Sequence, residues 1–261
     1  AGYFVDAIVR RGETRQLVCA STGNFGQAMA YACRAHERDL VVFADTSANE
    51  LKMSRIRDLG ADVRLRGNDF DAAKEVARRF CVEHDAWMIE DGREPEISEG
   101  AGTIGVELTR LRDYDAVVVP VGNGALISGV ARWVKAVSPT TRVVGVSAVG
   151  ADSMVESWRS GQIVERPTVE TIAEGIAVRI PVPEAVEDMI PIVDEMVVVS
   201  DQQMIEAMRA IHRLAGQMIE PSGAAGVAAI TSDLERFEGM SVATVLTGNN
   251  LTEEQIDRWL G

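Results

Sequence analysis

Short apolar runs alternate with amphipathic stretches along nearly the whole chain. The apolar runs predict strands at residues 17–20, 40–44, 62–65, 86–89, 116–121, 142–149, 193–199 and 241–246. The amphipathic stretches between them predict helices, among them 49–59, 69–83, 97–112, 126–137, 201–214 and 224–231, several entered by an Asp or Asn suited to capping. Strands that alternate with helices form mostly parallel sheets flanked by helices, so the pattern predicts an α/β fold.

Two segments interrupt this alternation. The polar stretch at residues 91–102 contains glycine and proline, and we place a domain boundary there, although the strands would fit one sheet or two. Residues 164–191 hold four of the eight prolines and show little periodicity. This second segment is predicted to be a long connection over the surface.

Composition and charge exclude several classes of protein. With 261 residues, 46% of them apolar, the chain can bury a real core. Its 40 acidic and 26 basic side chains give a formal charge of −14, which would repel the phosphate backbone of nucleic acids. No apolar run approaches the roughly 18 residues of a membrane span, and residues 1–10 lack a signal-peptide layout. We therefore expect a cytoplasmic protein that binds neither nucleic acid nor membrane.

The cysteines and histidines argue against disulfides and metal. Cys19, Cys33 and Cys81 are odd in number and show no CxxC spacing. The three histidines lie singly in predicted helices. We expect no metal site.

Candidate chemistry lies directly after the strands, because ligands of parallel sheets collect at the carboxyl ends. The first such segment, residues 21–27, is called the Ser21 loop and reads STGNFGQ. Its hydroxyls, its glycine and a helix start suit a carboxylate or phosphate, and an ordinary capped helix start explains it equally well.

The second segment, residues 122–126, is called the anion loop and reads GNGAL before a helix. Small residues let main-chain amides approach an anion closely, and the helix dipole adds a favourable field. A dinucleotide site fits poorly, because Gly124 is followed by the next glycine only at Gly129, and no acidic residue ends the next strand at Val146 and Ser147. The third segment, residues 247–250, is called the terminal loop and reads TGNN, which taken alone is better explained as a simple turn.

In this order and spacing the segments resemble fold type II pyridoxal-phosphate enzymes (tryptophan synthase β-like), above all the serine/threonine dehydratase group that includes serine racemase. The resemblance rests on Ser21-Thr22-Gly23-Asn24, Gly122-Asn123-Gly124-Ala125-Leu126, Thr247-Gly248-Asn249-Asn250, and the stretches at residues 100–105, 171–178 and 220–225. It covers almost the whole chain. It implies a small α/β domain at residues 13–99 and a large cofactor domain formed by residues 1–12 and 100–261.

The resemblance also implies roles for individual residues. The cofactor phosphate would be held by Gly122, Asn123, Gly124, Ala125 and Leu126. Asn24 would bind the phenolic oxygen of pyridoxal 5′-phosphate and Thr247 its pyridine nitrogen. Ser21, Thr22, Gly23 and Asn24 would receive the substrate, with Thr22 able to act on the opposite face of Cα.

The sequence departs from this family at three places. Asn123 and Ala125 interrupt what is commonly a run of glycines, and Ser147 stands where relatives of serine racemase place a carboxylate that binds a divalent cation. Covalent pyridoxal chemistry also needs a lysine that forms a Schiff base. Lys52, Lys74 and Lys135 are the only lysines; we interpret the first two as lying on solvated helix faces and expect all three at the surface.

The family carries its lysine just upstream of a helix that residues 1–8 resemble. We therefore expect the chain as given to be truncated before the catalytic lysine and inactive by itself. The full protein is expected to be a pyridoxal-phosphate dependent lyase that dehydrates threonine or serine to a 2-keto acid and ammonia, acting on a small amino acid as a homodimer. The alternatives are a non-catalytic scaffold of the same fold and a β-replacement synthase of the threonine or cysteine type.

Overall fold

The protein, a computed structural model that describes all 261 residues, divides into two compact units, Ala1–Gly100 and Ala101–Gly261. Each unit holds its own sheet of four strands, and every strand pairing in both sheets is parallel. The predicted α/β class with parallel sheets flanked by helices is confirmed. The assignment of residues 1–12 to the large domain stays a prediction.

The sheet of the first unit has the strand order β3-β2-β1-β4. Its strands are β1 (Leu17–Ala20), β2 (Leu40–Ala44), β3 (Asp62–Leu65) and β4 (Trp87–Ile89). The helices are α1 (Gly2–Arg10), α2 (Asn24–Ala35), α3 (Glu50–Asp58) and α4 (Phe70–His84), and α5 (Pro95–Leu111) begins in this unit. Every residue of β1 and β2 is buried, as expected of central parallel strands covered on both faces.

Side-chain caps fix the starts of two helices in this unit. The Asn49 side chain accepts hydrogen bonds from the backbone of Leu51 and Lys52, and Asp69 accepts one from Ala72. These caps satisfy N–H groups that have no partner inside the helix. The helices therefore begin one residue later than predicted, because the capping residue is itself outside the helix.

The sheet of the second unit has the strand order β7-β6-β5-β8. Its strands are β5 (Ala116–Pro120), β6 (Arg142–Ala148), β7 (Glu195–Val199) and β8 (Val242–Thr244). The helices are α6 (Ala125–Val137), α7 (Ser153–Ser160), α8 (Pro183–Met189), α9 (Asp201–Ala215), α10 (Pro221–Ser232) and α11 (Glu253–Leu260). Capping boxes at Ser200 and Thr252 start α9 and α11. Because β5 lies between β6 and β8, the segments that follow β5 and β8 leave the same edge of the sheet side by side.

The prediction of a surface connection at residues 164–191 is wrong from Ala173 onward, since Ala173 and Ile176 are already buried in the core. This part contains α8, which begins at Pro183, and it buries Val182, Val186 and Met189 in the core of the unit. Proline is compatible with the first turn of a helix, since its missing N–H has no helical partner there. The density of prolines therefore marked a helix start as well as a loop.

No helix of the protein has both the length and the apolar character that are needed to cross a membrane.

Candidate active site

The anion loop joins β5 to α6, and its backbone requires glycine at two positions. Gly124 has φ +92°, and a Cβ there would also lie 3.0 Å from the Sδ atom of Met189. A Cβ at Gly122 would lie 2.5 Å from the carbonyl oxygen of Gly175. Asn123 and Ala125 adopt backbone conformations open to any residue, and Ala125 begins the helix. The loop therefore keeps glycine where the geometry needs it.

The start of α6 is electropositive. Gly124 caps the helix without a side chain, and the first turn contains no acidic residue. The first N–H groups of a helix have no partner inside it, and the helix dipole adds partial positive charge at this end. The segment can hold a phosphate group through main-chain amides, with no cationic side chain.

The terminal loop begins three residues after β8, next to the anion loop along the edge of the sheet. Thr247 is partly exposed, and Gly248 has φ +72°. Gly223, in the first turn of α10, lies against Thr247 so closely that a Cβ would overlap the Thr247 carbonyl oxygen. The loop is thus packed onto the start of α10.

Residues 171–178 link these two loops within the second unit. Gly175 contacts Gly122 through its carbonyl, and a Cβ on Gly175 would lie 2.7 Å from the hydroxyl of Ser222, the neighbour of Gly223. A continuous series of close contacts, one of them made by the Ser222 side chain, therefore runs from Thr247 through α10 and Gly175 to the anion loop. Sequence reasoning missed the linking role of residues 171–178 and 220–223, because such contacts leave no signal beyond the glycines themselves.

Asp201, at the start of α9, anchors the segment that carries Gly175. One carboxylate oxygen accepts a hydrogen bond from the Thr171 hydroxyl at 2.6 Å, and the other accepts one from the Ile172 backbone at 3.1 Å. The Thr171 hydroxyl oxygen in turn accepts a bond from Ala173. This network fixes the approach of Gly175 to the anion loop.

The Ser21 loop belongs to the first unit and is closed by its own hydroxyl. The Oγ atom of Ser21 accepts hydrogen bonds from the backbone of Gly23 at 3.2 Å and Gly26 at 2.9 Å. A Cβ at Gly26 would lie 3.0 Å from both the Ser21 Cβ and Ile56, so the turn is tightly packed. Thr22 and Gly23 are partly exposed and Asn24 is exposed. The predicted substrate-binding role of this loop and the contact of Asn24 with the cofactor stay predictions.

Ser147, where relatives of serine racemase would have a metal-binding carboxylate, is fully buried. Its hydroxyl donates to the carbonyl of Val121 at 3.0 Å. Nearby, Asp152 forms a two-pronged ion pair with Arg166, at 2.7 and 2.8 Å, which lowers the pKa of the Asp152 carboxyl. Ser147 and Asp152 thus form hydrogen bonds with other groups of the protein.

The expectation that all three lysines are exposed is wrong. Lys52 is only 3% exposed, and the amine of Lys74 lies 2.9 Å from the buried carboxylate of Glu90. Although burial alone would raise the pKa of Glu90, hydrogen bonds from Lys74 and Arg78 bring it below its usual value. Periodicity placed Lys52 and Lys74 in helices but could not show that Lys52 is buried or that Lys74 meets a buried acid.

Lys135 lies at the opposite end of the second sheet from the anion loop. Its amine bonds to Asp194 at 2.6 Å and to the carbonyl of Thr141 at 2.9 Å, just before the strands β7 and β6 begin. Lys135 therefore does not lie at the carboxyl edge of the sheet that carries the anion loop.

A family profile and several curated proteins are similar to this chain. The profile of the family described as "Pyridoxal-phosphate dependent enzyme" matches residues 1–248. An L-threonine ammonia-lyase of Thermotoga maritima is 37% identical over 245 residues, which cover 94% of this chain and 61% of that protein. A threonine dehydratase of Nicotiana attenuata is 31% identical over 240 residues, which cover 91% of this chain and 40% of that protein. The chain thus spans about two fifths to three fifths of the length of these curated relatives.

Solved structures agree with the sequence relatives. The processed form of threonine deaminase isoform 2 from Solanum lycopersicum superposes with a TM-score of 0.91 at 28% identity, covering 98% of this chain and 76% of that one. Maize serine racemase superposes with a TM-score of 0.90 at 25% identity, covering 98% and 80%.

Proposed function

The chain belongs to the pyridoxal-phosphate dependent enzyme family, and from this membership we propose that the protein is an ammonia-lyase. It dehydrates a β-hydroxy amino acid, threonine or serine, and releases a 2-keto acid and ammonia. The observation that carries the proposal is the series of close contacts that links the anion loop and Thr247 at one edge of the second sheet. The relatives named for threonine support the substrate class.

The residues of the second unit fit pyridoxal 5′-phosphate. Gly122, Asn123, Gly124, Ala125 and Leu126 would hold its phosphate through the amides at the start of α6, whose first turn contains no acidic residue. Thr247 would bind the pyridine nitrogen. In the first unit, Asn24 would bind the phenolic oxygen, and Ser21, Thr22 and Gly23 would bind the substrate carboxylate.

Pyridoxal phosphate supplies the electron sink for the pair left at Cα when the α-proton is removed. The hydroxyl of Thr247 is a neutral partner, which leaves the pyridine nitrogen less fully protonated than an aspartate would. This weaker activation favours β-elimination over transamination. The Ser21 hydroxyl oxygen accepts hydrogen bonds from the backbone N–H groups of Gly23 and Gly26. Its own proton would still be able to donate to a carboxylate.

Racemisation is a second activity that one observation favours. Thr22 has a hydroxyl in the loop that would bind the substrate, and maize serine racemase is a structural neighbour. A hydroxyl on the opposite face of Cα could return a proton there. Formation of D-serine from L-serine is the measurement, and a Thr22→Ala variant that forms as much D-serine as the wild type would remove this role.

The test of the proposal is product analysis with the complete gene product and added pyridoxal phosphate. We expect equal amounts of 2-keto acid and ammonia from L-threonine or L-serine. A protein that binds the cofactor but releases neither product would support the non-catalytic scaffold. Formation of cysteine from O-acetylserine and sulfide, without keto acid, would support the synthase. A homodimer is part of the same proposal, because symmetric dimers are the commonest soluble assembly. The proposal also includes a cytoplasmic location.

A further inference from the structure

Residues 220–223, which are Glu220 at the N-cap of α10 and the first three residues of that helix, hold the terminal loop at three points. The backbone N–H of Glu220 donates to the carbonyl of Gly248 at 3.0 Å. The Glu220 side chain accepts a hydrogen bond from the backbone N–H of Asn250 at 2.7 Å. Gly223 packs against the carbonyl of Thr247. Three of the four residues of the terminal loop therefore contact this one short segment.

We call these three contacts the clamp. The Glu220 carboxylate supplies its side-chain hydrogen bond. Glu220 is 5% exposed, and water cannot easily replace a hydrogen bond at such a depth. The loop that it holds has no helix or strand of its own between β8 and α11. A segment without regular secondary structure, with a positive φ at Gly248, is thus hydrogen-bonded to a buried acid.

The same segment also determines where the terminal loop lies relative to the anion loop. Ser222 contacts Gly175, and Gly175 contacts Gly122. Moving residues 220–223 would therefore change the separation between Thr247 and the amides that start α6. A rigid, flat ligand that contacts both Thr247 and these amides would bind more weakly if their separation changed.

We propose that Glu220 is a positioning residue, which sets the Thr247 hydroxyl at the correct distance from the anion loop. The inference rests on the proposed function for the identity of the ligand, pyridoxal phosphate. The clamp itself does not depend on that ligand. Glu220 acts through the backbone of Asn250, and we assign it no contact with the substrate.

Hydrogen exchange tests the clamp in the cofactor-free chain. Glu220→Ala removes the acceptor of the Asn250 amide, and we expect the exchange of that amide to rise about tenfold, the effect of one lost hydrogen bond. Glu220→Gln keeps an oxygen at the same place and should remain within about threefold of the wild type. Glu238→Gln, at an exposed position of the same unit, is the control. If Glu220→Ala does not fold, Glu220→Asp, whose shorter side chain withdraws the oxygen, takes its place.

Titration with pyridoxal 5′-phosphate, followed by absorbance, tests the positioning. We expect Glu220→Ala to weaken binding about tenfold and to shift the absorption band, while Glu220→Gln restores most of both, as a replaced hydrogen bond should. Wild-type exchange and wild-type titration in Glu220→Ala would overturn the inference. A wild-type chain that does not bind pyridoxal phosphate would overturn the cofactor assignment instead, and the exchange experiment would still decide whether Glu220 holds the loop.

Discussion

Replacement of Gly122 by alanine is the sharpest test of the anion loop. The new Cβ would lie 2.5 Å from the carbonyl oxygen of Gly175. A carbon and an oxygen in contact normally stay more than about 3.3 Å apart, so the backbone of one loop must move by most of an ångström. The carbonyl is main chain, in a segment that Asp201 holds at Thr171 and Ile172, and it cannot turn aside as a flexible side chain would.

The size of the effect follows from this overlap. Forcing one extra carbon into a packed site costs about 1–3 kcal/mol. If the cost falls on the cofactor-bound state, the dissociation constant of pyridoxal phosphate rises between about fivefold and one hundredfold, since each 1.4 kcal/mol is a factor of ten. If it falls on folding instead, the midpoint of thermal unfolding drops by about 2–4 °C for each kcal/mol in a chain of this size.

Titration by absorbance and thermal unfolding by circular dichroism measure the two effects in one preparation. Gly2→Ala is the matched control, because Gly2 lies in α1 with no atom within 4 Å of the added carbon. That variant should bind normally and be as stable as the wild type or slightly more so, since alanine favours helix. If Gly122→Ala also matched the wild type in both measurements, the role of the anion loop would be refuted.

Three further predictions address other parts of the site and the fold. Ser21→Ala removes the acceptor of the Gly26 amide and should destabilise the first unit by about 1 kcal/mol; urea denaturation measures this, and unchanged stability would show that the hydroxyl does not close the loop. Thr247→Asp should raise the protonation of the pyridine nitrogen and shift turnover from elimination to transamination, so an unchanged product ratio would separate Thr247 from the ring. Because the folded pKa of Glu90 is lowered, its stabilising effect is present above its unfolded pKa and is lost as the pH falls through the folded pKa. The stability of Glu90→Gln, which leaves Lys74 without its charged partner, should accordingly vary less with pH in the acidic range than that of the wild type, and parallel curves would contradict the pairing.

Sequence alone located three strands of the first unit best, although only β1 and β2 are buried throughout and β3 is not. The strands at residues 17–20, 40–44 and 62–65 have the predicted bounds, because a turn signal ends each run. The run at residues 241–246 shortens to Val242–Thr244, since the chain leaves the sheet to make the contacts of the terminal loop. Periodicity reports which residues are apolar, not where a tertiary contact draws the backbone away.

Polar contacts between distant segments were the part that sequence could not supply. Lys74 lies in a helix whose pattern is amphipathic, and only the fold brings Glu90 to its amine. The clamp formed by Glu220 binds main-chain groups, which every residue possesses, so no residue type in the terminal loop indicates it. The resemblance at residues 220–225 therefore does not reveal that Glu220 holds the terminal loop.

The site would hold an anion without a cationic side chain from either of its two loops. The anion loop and the terminal loop contain no lysine or arginine, in a chain whose formal charge is −14. Within these two loops, binding would then come from the oriented amides at the start of α6, which neither titrate nor carry a full charge. Such dipoles act only at short range, so their position matters more than their number. Close packing at Gly122, Gly175 and Gly223 fixes that position, which is why we expect small displacements there to cost more than the removal of any single side chain.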